Sequence, residues 1–217
     1  MERTLINLAV LVSGSGTTLA NLIDKIAAGE LNARIALVIG SKPDLLGLKR
    51  AADAKLMNFV VDRRDFADPL AFSRQVFSLC DDAGVDLVCL CGWLCLLEVP
   101  DKYVGKVMNI HPALLPCFGG KGMYGPRVHE AVLAHGCKVS GCTVHFVDND
   151  YDAGPIIVQR TCEVREDDTP QALAARVFEE EKLAYPAAIS LYAANALRIE
   201  GRCVRITSPA PVEAVRP

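Results

Sequence analysis

The sequence predicts an α/β protein: one domain with a mostly parallel, open sheet, helices on both of its faces and an antiparallel C-terminal addition. Three observations support this. Short apolar runs alternate with longer helix-like stretches, and the runs are almost continuously apolar, as in strands buried on both faces. The chain also has 217 residues, 51% of them hydrophobic, which is enough for one domain with a substantial core.

Strands and helices alternate through the first half of the chain. Gly29 and Gly84 stand where two helix-like stretches end, a usual place for glycine. In order, we predict a strand at 5–12, a helix at 17–28, a strand at 34–39, a short helix at 45–54, a strand at 59–61, a helix at 67–83, and strands at 86–91 and 107–110. This order favours parallel strands joined by helical crossovers.

The pattern changes after residue 137. Two predicted strands, at 138–146 and 155–164, are joined by a stretch rich in Asp and Gly. Strands joined in this way favour an antiparallel or mixed addition to the sheet. Residues 1–208 are then expected to form the domain, and residues 209–217, with three prolines, a flexible tail.

A last helix is predicted to begin at Thr169 and Pro170. Threonine is a good helix cap, and proline is favoured at the first helical position. The helix should run toward Tyr185, where Pro186 is expected to kink or restart it.

Composition limits the partners. The net charge is −3 at pH 7 and no basic run stands out, which argues against nucleic acid as the main partner. The apolar run at 5–12 contains Asn7 and is too short to span a membrane, and no cleavage-site pattern follows it. We therefore expect a cytoplasmic protein, monomer or homodimer, that acts on small molecules without a membrane or nucleic acid.

The nine cysteines predict no metal site. No CxxC pair occurs, and the four histidines do not repeat at zinc-binding spacing. Cys89, Cys91, Cys95 and Cys142 stand in apolar contexts. We interpret the cysteines as reduced, buried thiols that act as small hydrophobic residues.

An amide and an imidazole stand at the end of a predicted strand. The apolar pair Val107 and Met108 leads into Asn109 and His111, and positions two apart on a strand share a face. Pro112 then ends the strand. An amide can hold an oxyanion and an imidazole can shuttle a proton, so the pair is typical of catalysis. The alternative is a polar pair that satisfies loop backbone groups.

A carboxylate that could act with this histidine lies in the acidic loop at 148–154. A carboxylate near an imidazole raises the pKa of the imidazole and favours its protonated form. Asp148, Asp150 and Asp152 are all candidates, and spacing does not rank them. Calcium binding is not favoured, because the loop lacks the twelve-residue pattern that ends in Glu.

Glycines stand between the first strand and the first helix, in the run GSGTT at 14–18. Backbone N–H groups there can approach an anion, and Ser15, Thr17 and Thr18 add hydroxyl donors. A dinucleotide fingerprint would need glycine at Leu19, and a Walker loop would need a lysine that is absent. Phosphate binding and an ordinary tight turn both remain open.

The run CGWLCLL at 91–97 directly follows a predicted buried strand. Gly92 permits the close approach of a flat ligand, and Trp93 is the one tryptophan of the chain. The run could form an apolar pocket wall for an aromatic ring system, or it could be ordinary core.

Together these segments resemble the phosphoribosylglycinamide formyltransferases, a family of folate-dependent formyltransferases with a Rossmann-like fold. The similarity covers residues 5–205. The run NIHPALLP at 109–116 is shared with related formyltransferases and gives the reaction class, whereas SGSGTTL at 13–19 narrows the resemblance to this family. In this resemblance, DAGPII at 152–157 selects Asp152 as the functional carboxylate.

The resemblance implies an activity and site residues. The reaction is formyl transfer from 10-formyltetrahydrofolate to the amine of N1-(5-phosphoribosyl)glycinamide, without a metal. His111 is then the general acid, Asn109 binds the formyl oxygen, and Asp152 keeps His111 protonated. The other implied ligands are Ser15, Gly16, Thr17, Thr18 and Glu181 for the ribotide, with Glu181 on the ribose, and Trp93, Leu94, Cys95, Leu96, Leu97 and Asn109 for the folate.

The chain departs from the family pattern in three places. Cys95 stands where many members carry arginine, and the family's folate-contacting arginine is missing near Pro69, where Arg63, Arg64 or Arg74 could substitute for it. The loop after Pro116 is longer and contains Lys121, which could contact a phosphate or the folate tail. These differences affect folate affinity and tail preference more than the chemistry.

Two kinds of alternative function remain. One is a related formyltransferase or a formyltetrahydrofolate hydrolase. The acidic chain, without a basic C-terminal domain or an N-terminal regulatory module, is expected to be neither a tRNA enzyme nor a hydrolase. The other is a nucleotide-binding module without catalysis, which would bind its ligand without turnover.

Overall fold

The computed structural model describes residues 5–207, and all of its strands join one nine-stranded sheet. The strands are β1 (Ile6–Val12), β2 (Ala33–Gly40), β3 (Asn58–Val60), β4 (Leu87–Leu90), β5 (Val107–His111), β6 (Val139–Phe146), β7 (Ile156–Glu163), β8 (Leu197–Glu200) and β9 (Cys203–Ile206). The helices are α1 (Thr17–Ala27), α2 (Leu46–Asp53), α3 (Pro69–Asp82), α4 (Pro126–Ala134) and α5 (Pro170–Ala193), with short 3₁₀ turns at Arg63–Asp65 and Asp101–Tyr103.

The strand order confirms the predicted fold class. The sheet runs β3-β2-β1-β4-β5-β6-β7-β9-β8. Strands β1 to β5 are parallel, while β6 is antiparallel to both β5 and β7. The strand order reverses at β1: β2 and β3 lie on one side of β1, and β4 and β5 lie on the other. Ligands of open α/β sheets bind at the carboxyl ends of the strands near such a reversal.

Both faces of the sheet are buried at its central strands β1, β4 and β5, as the apolar strand runs predict. Along β1, Leu8 and Val10 pack into one hydrophobic core with residues of α1, α4 and α5. Ala9 and Leu11 point to the other face, into a second core built on α3. This alternation explains why β1 shows no polar side: each of its faces meets a helical layer.

Helix α5 continues through Pro186, so the expectation that the helix restarts there is wrong. Proline lacks the N–H that would bond the carbonyl four residues earlier, here that of Lys182. The side-chain amide of Asn21, on α1, donates to that carbonyl at 3.2 Å. A neighbouring helix therefore supplies the missing donor, and α1 and α5 are joined at this point.

Three elements have no counterpart in the sequence prediction. They are α4, β8 and β9, and the last two form a hairpin that extends the sheet beyond β7. The predicted tail at 209–217 lies outside the described residues. None of the helices within 5–207 is long and apolar enough to cross a membrane.

The cysteines follow the prediction in part. All nine are free thiols. Cys80, Cys89, Cys91 and Cys142 are buried, and burial raises the pKa of Cys89 and of Cys142 to about 12, so these thiols are protonated near neutral pH. The expectation of burial is wrong for Cys117, in the loop after β5, and for Cys203, at the start of β9, which are both exposed.

Candidate active site

A cleft of about 770 Å³ opens at the carboxyl ends of β1, β4 and β5. The predicted site residues that line it are Thr17, Thr18, Trp93, Leu94, Asn109, His111, Asp152 and Glu181. The structure therefore brings four separately predicted segments, together with Glu181, to one place.

A cluster of polar side chains surrounds Asp152 in this cleft. One carboxylate oxygen, Oδ2, accepts the backbone N–H of Gly120 at 2.8 Å and lies 3.5 Å from Nδ1 of His111. The other, Oδ1, accepts the side-chain amide of Asn109 at 3.3 Å and lies 3.7 Å from Nε2 of His145. The structure thus selects Asp152 by position as the carboxylate beside His111.

Strand geometry places the cluster. Asn109 and His111 are alternate residues of β5, and the antiparallel register pairs Asn109 with His145 of β6. Asp152 has a φ of +53°, a backbone conformation that aspartate tolerates better than most residues. The loop returns through Gly154, where a Cβ would lie 1.8 Å from the carbonyl oxygen of Phe146, so only glycine fits.

Burial decides the charge of His111. Only 4% of its surface is exposed. Burial lowers the pKa of His111 below its ordinary value, and the opposing effect of the Asp152 carboxylate is smaller. The expectation that the carboxylate gives a net raised pKa is therefore wrong, because the sequence does not show how deeply the ring is enclosed.

The hydrogen-bond partners of the His111 ring would nevertheless stabilise its protonated form. Its Nε2 donates to the carbonyl oxygen of Phe118 at 2.8 Å, while its Nδ1 faces Asp152. Because both neighbours are hydrogen-bond acceptors, both contacts are satisfied only in the imidazolium form. His111 is therefore neutral at rest but surrounded by groups that stabilise it once it gains a proton.

Asp152 keeps its charge in this setting. Burial would raise the pKa of its carboxyl group, but the contacts with His145, His111 and the N–H of Gly120 outweigh burial and lower it. The carboxylate is therefore ionised at neutral pH and can stabilise a positive charge on His111.

His145 belongs to the cluster and was missed as a site residue. Its Nδ1 donates to the carbonyl oxygen of Phe146 at 2.8 Å, which leaves Nε2 free to accept the amide of Asn109 at 3.2 Å. Both N–H groups of the Asn109 amide are thus engaged, by His145 and by Asp152. A bound oxyanion would replace one of these contacts, and the longer one, to Asp152, is the weaker.

The loop at residues 13–18, here called the first loop, offers N–H groups to an anion. Gly16, with a φ of +69°, precedes α1, and a Cβ there would lie 2.6 Å from the Cα of Gly47. Helix α1 has no side-chain cap and no acidic residue in its first turn, so its N–H groups are available. Ser13, Gly14, Thr17 and Thr18 line the cleft, whereas the predicted ligands Ser15 and Gly16 do not.

Helix α5 brings Glu181 into the cleft. The side chain is half-buried, and burial raises its pKa to about 7. Tyr185, one turn later, is fully buried, and its hydroxyl lies 2.9 Å from the carbonyl oxygen of Met108 and 3.1 Å from that of Leu90. These contacts fix α5 to β4 and β5 beside the polar cluster.

The folate segment, residues 93–97, only partly lines the cleft. Trp93 and Leu94 do so, and the Trp93 ring stacks on Phe72 with centroids 6.0 Å apart. Leu97 is buried in the α3 core instead, and Leu96 is exposed outside the cleft. Cys95 is half-buried and is also absent from the cleft lining.

The rest of the cleft lining consists of residues that were not predicted as ligands, apart from Lys121, for which a contact with a phosphate or the folate tail was predicted. They include Gly120, Lys121, Gly122, Met123, Tyr124 and Gly125 of the glycine segment (residues 119–125), with Arg127, His129, Tyr151, Ala174, Ala175 and Phe178. The available signal in the sequence was a Gly-rich run that carries a cation shortly after the strand with Asn109 and His111. Within residues 5–207, no group of three or more His, Cys, Asp or Glu side chains is arranged to hold a metal ion.

Comparison with known proteins agrees with this geometry. Residues 6–189 match the model of the Formyl transferase family. The chain is 33% identical over 195 residues to phosphoribosylglycinamide formyltransferase of Haemophilus influenzae, covering 89% of this chain and 90% of that protein. It is 38% identical over 196 residues to the trifunctional purine biosynthetic protein adenosine-3 of Gallus gallus, covering 89% of this chain but 19% of that protein.

The chain therefore spans about a fifth of the length of the trifunctional relatives that it matches. Among solved structures, glycinamide ribonucleotide transformylase 1 from Symbiobacterium toebii is similar with a TM-score of 0.87 and 40% identity, covering 94% of this chain and 95% of that one. Sequence and structure agree over nearly the whole described fold, and the chain belongs to the formyl transferase family.

Proposed function

We propose that this protein transfers the formyl group of 10-formyltetrahydrofolate to the amine of N1-(5-phosphoribosyl)glycinamide, a step of purine biosynthesis. The observation that carries the proposal is the meeting of Asn109, His111 and Asp152 in one cleft with a loop at the uncapped start of α1. The names of the Haemophilus and Symbiobacterium relatives support the same substrate.

The cleft offers a place for each substrate. The ribotide phosphate would bind at the first loop, through the N–H groups at the start of α1 and the hydroxyls of Thr17 and Thr18. The ribose hydroxyls would reach Glu181. The pterin would lie against Trp93 and Leu94, so the two substrates meet at the polar cluster between these ends.

Asn109 and His111 then act on the reacting atoms. The glycinamide nitrogen attacks the formyl carbon, a new C–N bond forms, and the formyl oxygen becomes an oxyanion. The Asn109 amide donates to this oxyanion, exchanging its long contact with Asp152 for a charge-assisted hydrogen bond.

His111 moves one proton within this reaction. Being neutral at rest, it can take the proton that the attacking nitrogen loses, and Asp152 stabilises the resulting imidazolium. When the bond between the formyl carbon and N10 of the folate breaks, N10 takes that proton from His111. His111 thus acts as the general acid in the second half of the reaction and returns to its neutral form.

The test is an assay with both substrates. The protein is incubated with 10-formyltetrahydrofolate and the ribotide, and the folate product is followed by absorbance, with His111→Ala as the control. Turnover that requires the ribotide and is lost in the variant supports the proposal. Folate release without the ribotide indicates a hydrolase and contradicts it. Stoichiometric binding without turnover would indicate a binding module instead.

A further inference from the structure

The charged side chains that line the cleft divide into two groups. Asp152 and Glu181 are acidic, and each lies beside the place where the reacting atoms or the ribose would sit. Lys121, in the glycine segment, and Arg127, at the start of α4, are the cations of the cleft lining as far as residues 5–207 show. Any anion that enters this cleft therefore meets two acidic side chains and these two cations.

The two cations have no protein counter-charge. Neither Lys121 nor Arg127 makes an ion pair with a residue of the described chain, and both are exposed. The Arg127 guanidinium lies over the ring of Tyr124, with its Cζ 5.1 Å from the ring centroid. This stacking holds the guanidinium at the cleft while its N–H groups remain available.

Arg127 also stands where a cation is disfavoured. It is the second residue of α4, and the first turn of that helix contains no acidic residue. The positive end of the helix dipole lies there, so a cation without a carboxylate partner destabilises the helix. Residues that break such a local rule without compensation inside the protein are typical of functional sites.

The opposite end of the cleft needs a cation. The first loop offers only neutral donors, namely backbone N–H groups and the hydroxyls of Ser13, Thr17 and Thr18. On α5, the neighbouring side chains of Ala174 and Phe178 carry no charge. Behind this loop, the Arg50 guanidinium donates to the backbone carbonyl oxygen of Ser15 at 3.0 Å, but Arg50 does not line the cleft. Inside the cleft, Lys121 and Arg127 are the cations that could compensate the charge of a phosphate dianion held at the loop.

We infer that Lys121 and Arg127 bind the phosphate dianion of the ribotide and close the phosphate end of the cleft. The inference rests on the proposed function for the identity of the ribotide. Charge-assisted hydrogen bonds to phosphate are worth about 1.5–3 kcal/mol each, or about tenfold to a hundredfold in affinity. The carboxylates of the folate tail share this anionic chemistry, and they are the competing source.

The glycine segment links this contact to the catalytic groups. Its Gly120 N–H donates to Asp152, and Phe118, just before the segment, accepts the His111 ring N–H. A phosphate that draws Lys121 into the cleft therefore orders a segment that is bonded to two catalytic side chains. Binding at one end of the ribotide would steady the groups at the other.

The test compares Lys121→Met and Arg127→Met with Lys138→Met, an exposed lysine at the start of β6 that does not line the cleft. Binding of ribose 5-phosphate and of ribose is measured by calorimetry, and KM is measured for the ribotide and for 10-formyltetrahydrofolate. We expect ribose 5-phosphate affinity and ribotide KM to worsen by about tenfold in each cleft variant. Ribose binding, folate KM and the Lys138→Met control should stay unchanged, and Arg127→Lys should recover part of the loss.

Each other outcome overturns the inference. A rise in folate KM with normal ribotide KM would assign the cations to the folate carboxylates, and no change in either would leave them without a ligand role. The sugar-phosphate titration needs no catalysis, so it separates this inference from the proposed function. If the wild-type protein binds ribose 5-phosphate but transfers no formyl group, the proposed function fails while the phosphate contact stands.

Discussion

The two walls of the cleft are built in different ways. The strand wall consists of Asn109 and His111 on β5, and His145 on β6 contacts Asn109 without lining the cleft. Each of these three side chains has a hydrogen-bond partner within the protein. The loop wall consists of Leu94 and the glycine segment, where the backbone is mostly irregular and Lys121 has no counter-charge.

This difference indicates two tasks. Groups that handle protons must be held to a fraction of an ångström before substrates arrive, and regular strands with internal hydrogen bonds do this. Groups that hold ligands can gain their partners on binding. Changes in the strand wall should therefore lower kcat, whereas changes in the loop wall should raise KM.

The largest effect is expected for His111→Ala. Because the variant removes the group that carries the proton in the proposed reaction, kcat should fall by about 10²–10⁴-fold, the usual range for general acid–base catalysis. KM for both substrates should change little, and thermal unfolding should show that the fold is kept. A variant with normal kcat and raised KM would contradict the expectation that changes in the strand wall act on kcat.

Asp152→Asn should come next, with Asp150→Asn as its matched control. Asp150 is exposed in the same loop, so its loss should leave turnover unchanged. Asp152→Asn removes the charge that stabilises imidazolium and should lower kcat by about a hundredfold. Equal effects of the two substitutions on kcat would contradict a specific role of Asp152 in turnover.

The pH profile of Asp152→Asn sharpens this result. Asp152 raises the pKa of His111 against the larger effect of burial, so its loss should lower that pKa further. Since neutral His111 accepts the proton, kcat/KM falls as the pH falls through this pKa. The acidic limb of the variant's profile should therefore lie at lower pH than that of the wild type.

On the loop wall, Leu94→Ala is compared with Leu96→Ala. Leu94 is 48% exposed inside the cleft, and Leu96 is 38% exposed outside it. Loss of Leu94 should raise the folate KM by about fivefold, from about 1 kcal/mol of apolar contact, with kcat unchanged. Steady-state kinetics with varied folate provide the measurement, and a larger effect of Leu96→Ala would place the pterin elsewhere.

The smallest effect concerns stability in Glu181→Gln. Burial raises the pKa of Glu181 from 4.5 to about 7, so the folded state holds the proton more tightly than the unfolded chain. This contribution to stability is complete below about pH 4.5 and is lost as the pH rises through about 7. The glutamine of the variant cannot ionise. The melting temperature of the variant, relative to that of the wild type, should therefore increase as the pH rises from about 5 to about 8. A constant difference would contradict this.

The walls also differ in how far the sequence predicts them. The apolar runs of β1, β4 and β5 and the alternation of Asn109 and His111 follow from local pattern, and the structure agrees. His145 was missed because its contact with Asn109 depends on the register between β5 and β6, which one strand's sequence does not contain. The His111 pKa was misjudged for a related reason, since burial is a property of the assembled cleft.

Irregular or short elements were not predicted from the sequence, for other reasons. Helix α4 follows a Gly-rich run that resembles a long loop, and β8 and β9 are four-residue strands with mostly exposed residues. Pro186 indicated a break in α5 because the donor that compensates it, Asn21, lies on a distant helix. In each case, contacts between distant parts of the chain outweigh the local signal.

The Tyr185 hydroxyl has a consequence for which substrates can react. It joins α5 to the backbone carbonyl of Leu90, at the end of β4, and to that of Met108, near the start of β5, so the spacing between the backbone at Glu181 and the backbone at His111 is fixed. A ribotide bound through its sugar at Glu181 would therefore place its amine at a fixed distance from that contact. An analogue lengthened by a single methylene would bind at the same sugar contacts and carry its nitrogen past the formyl carbon.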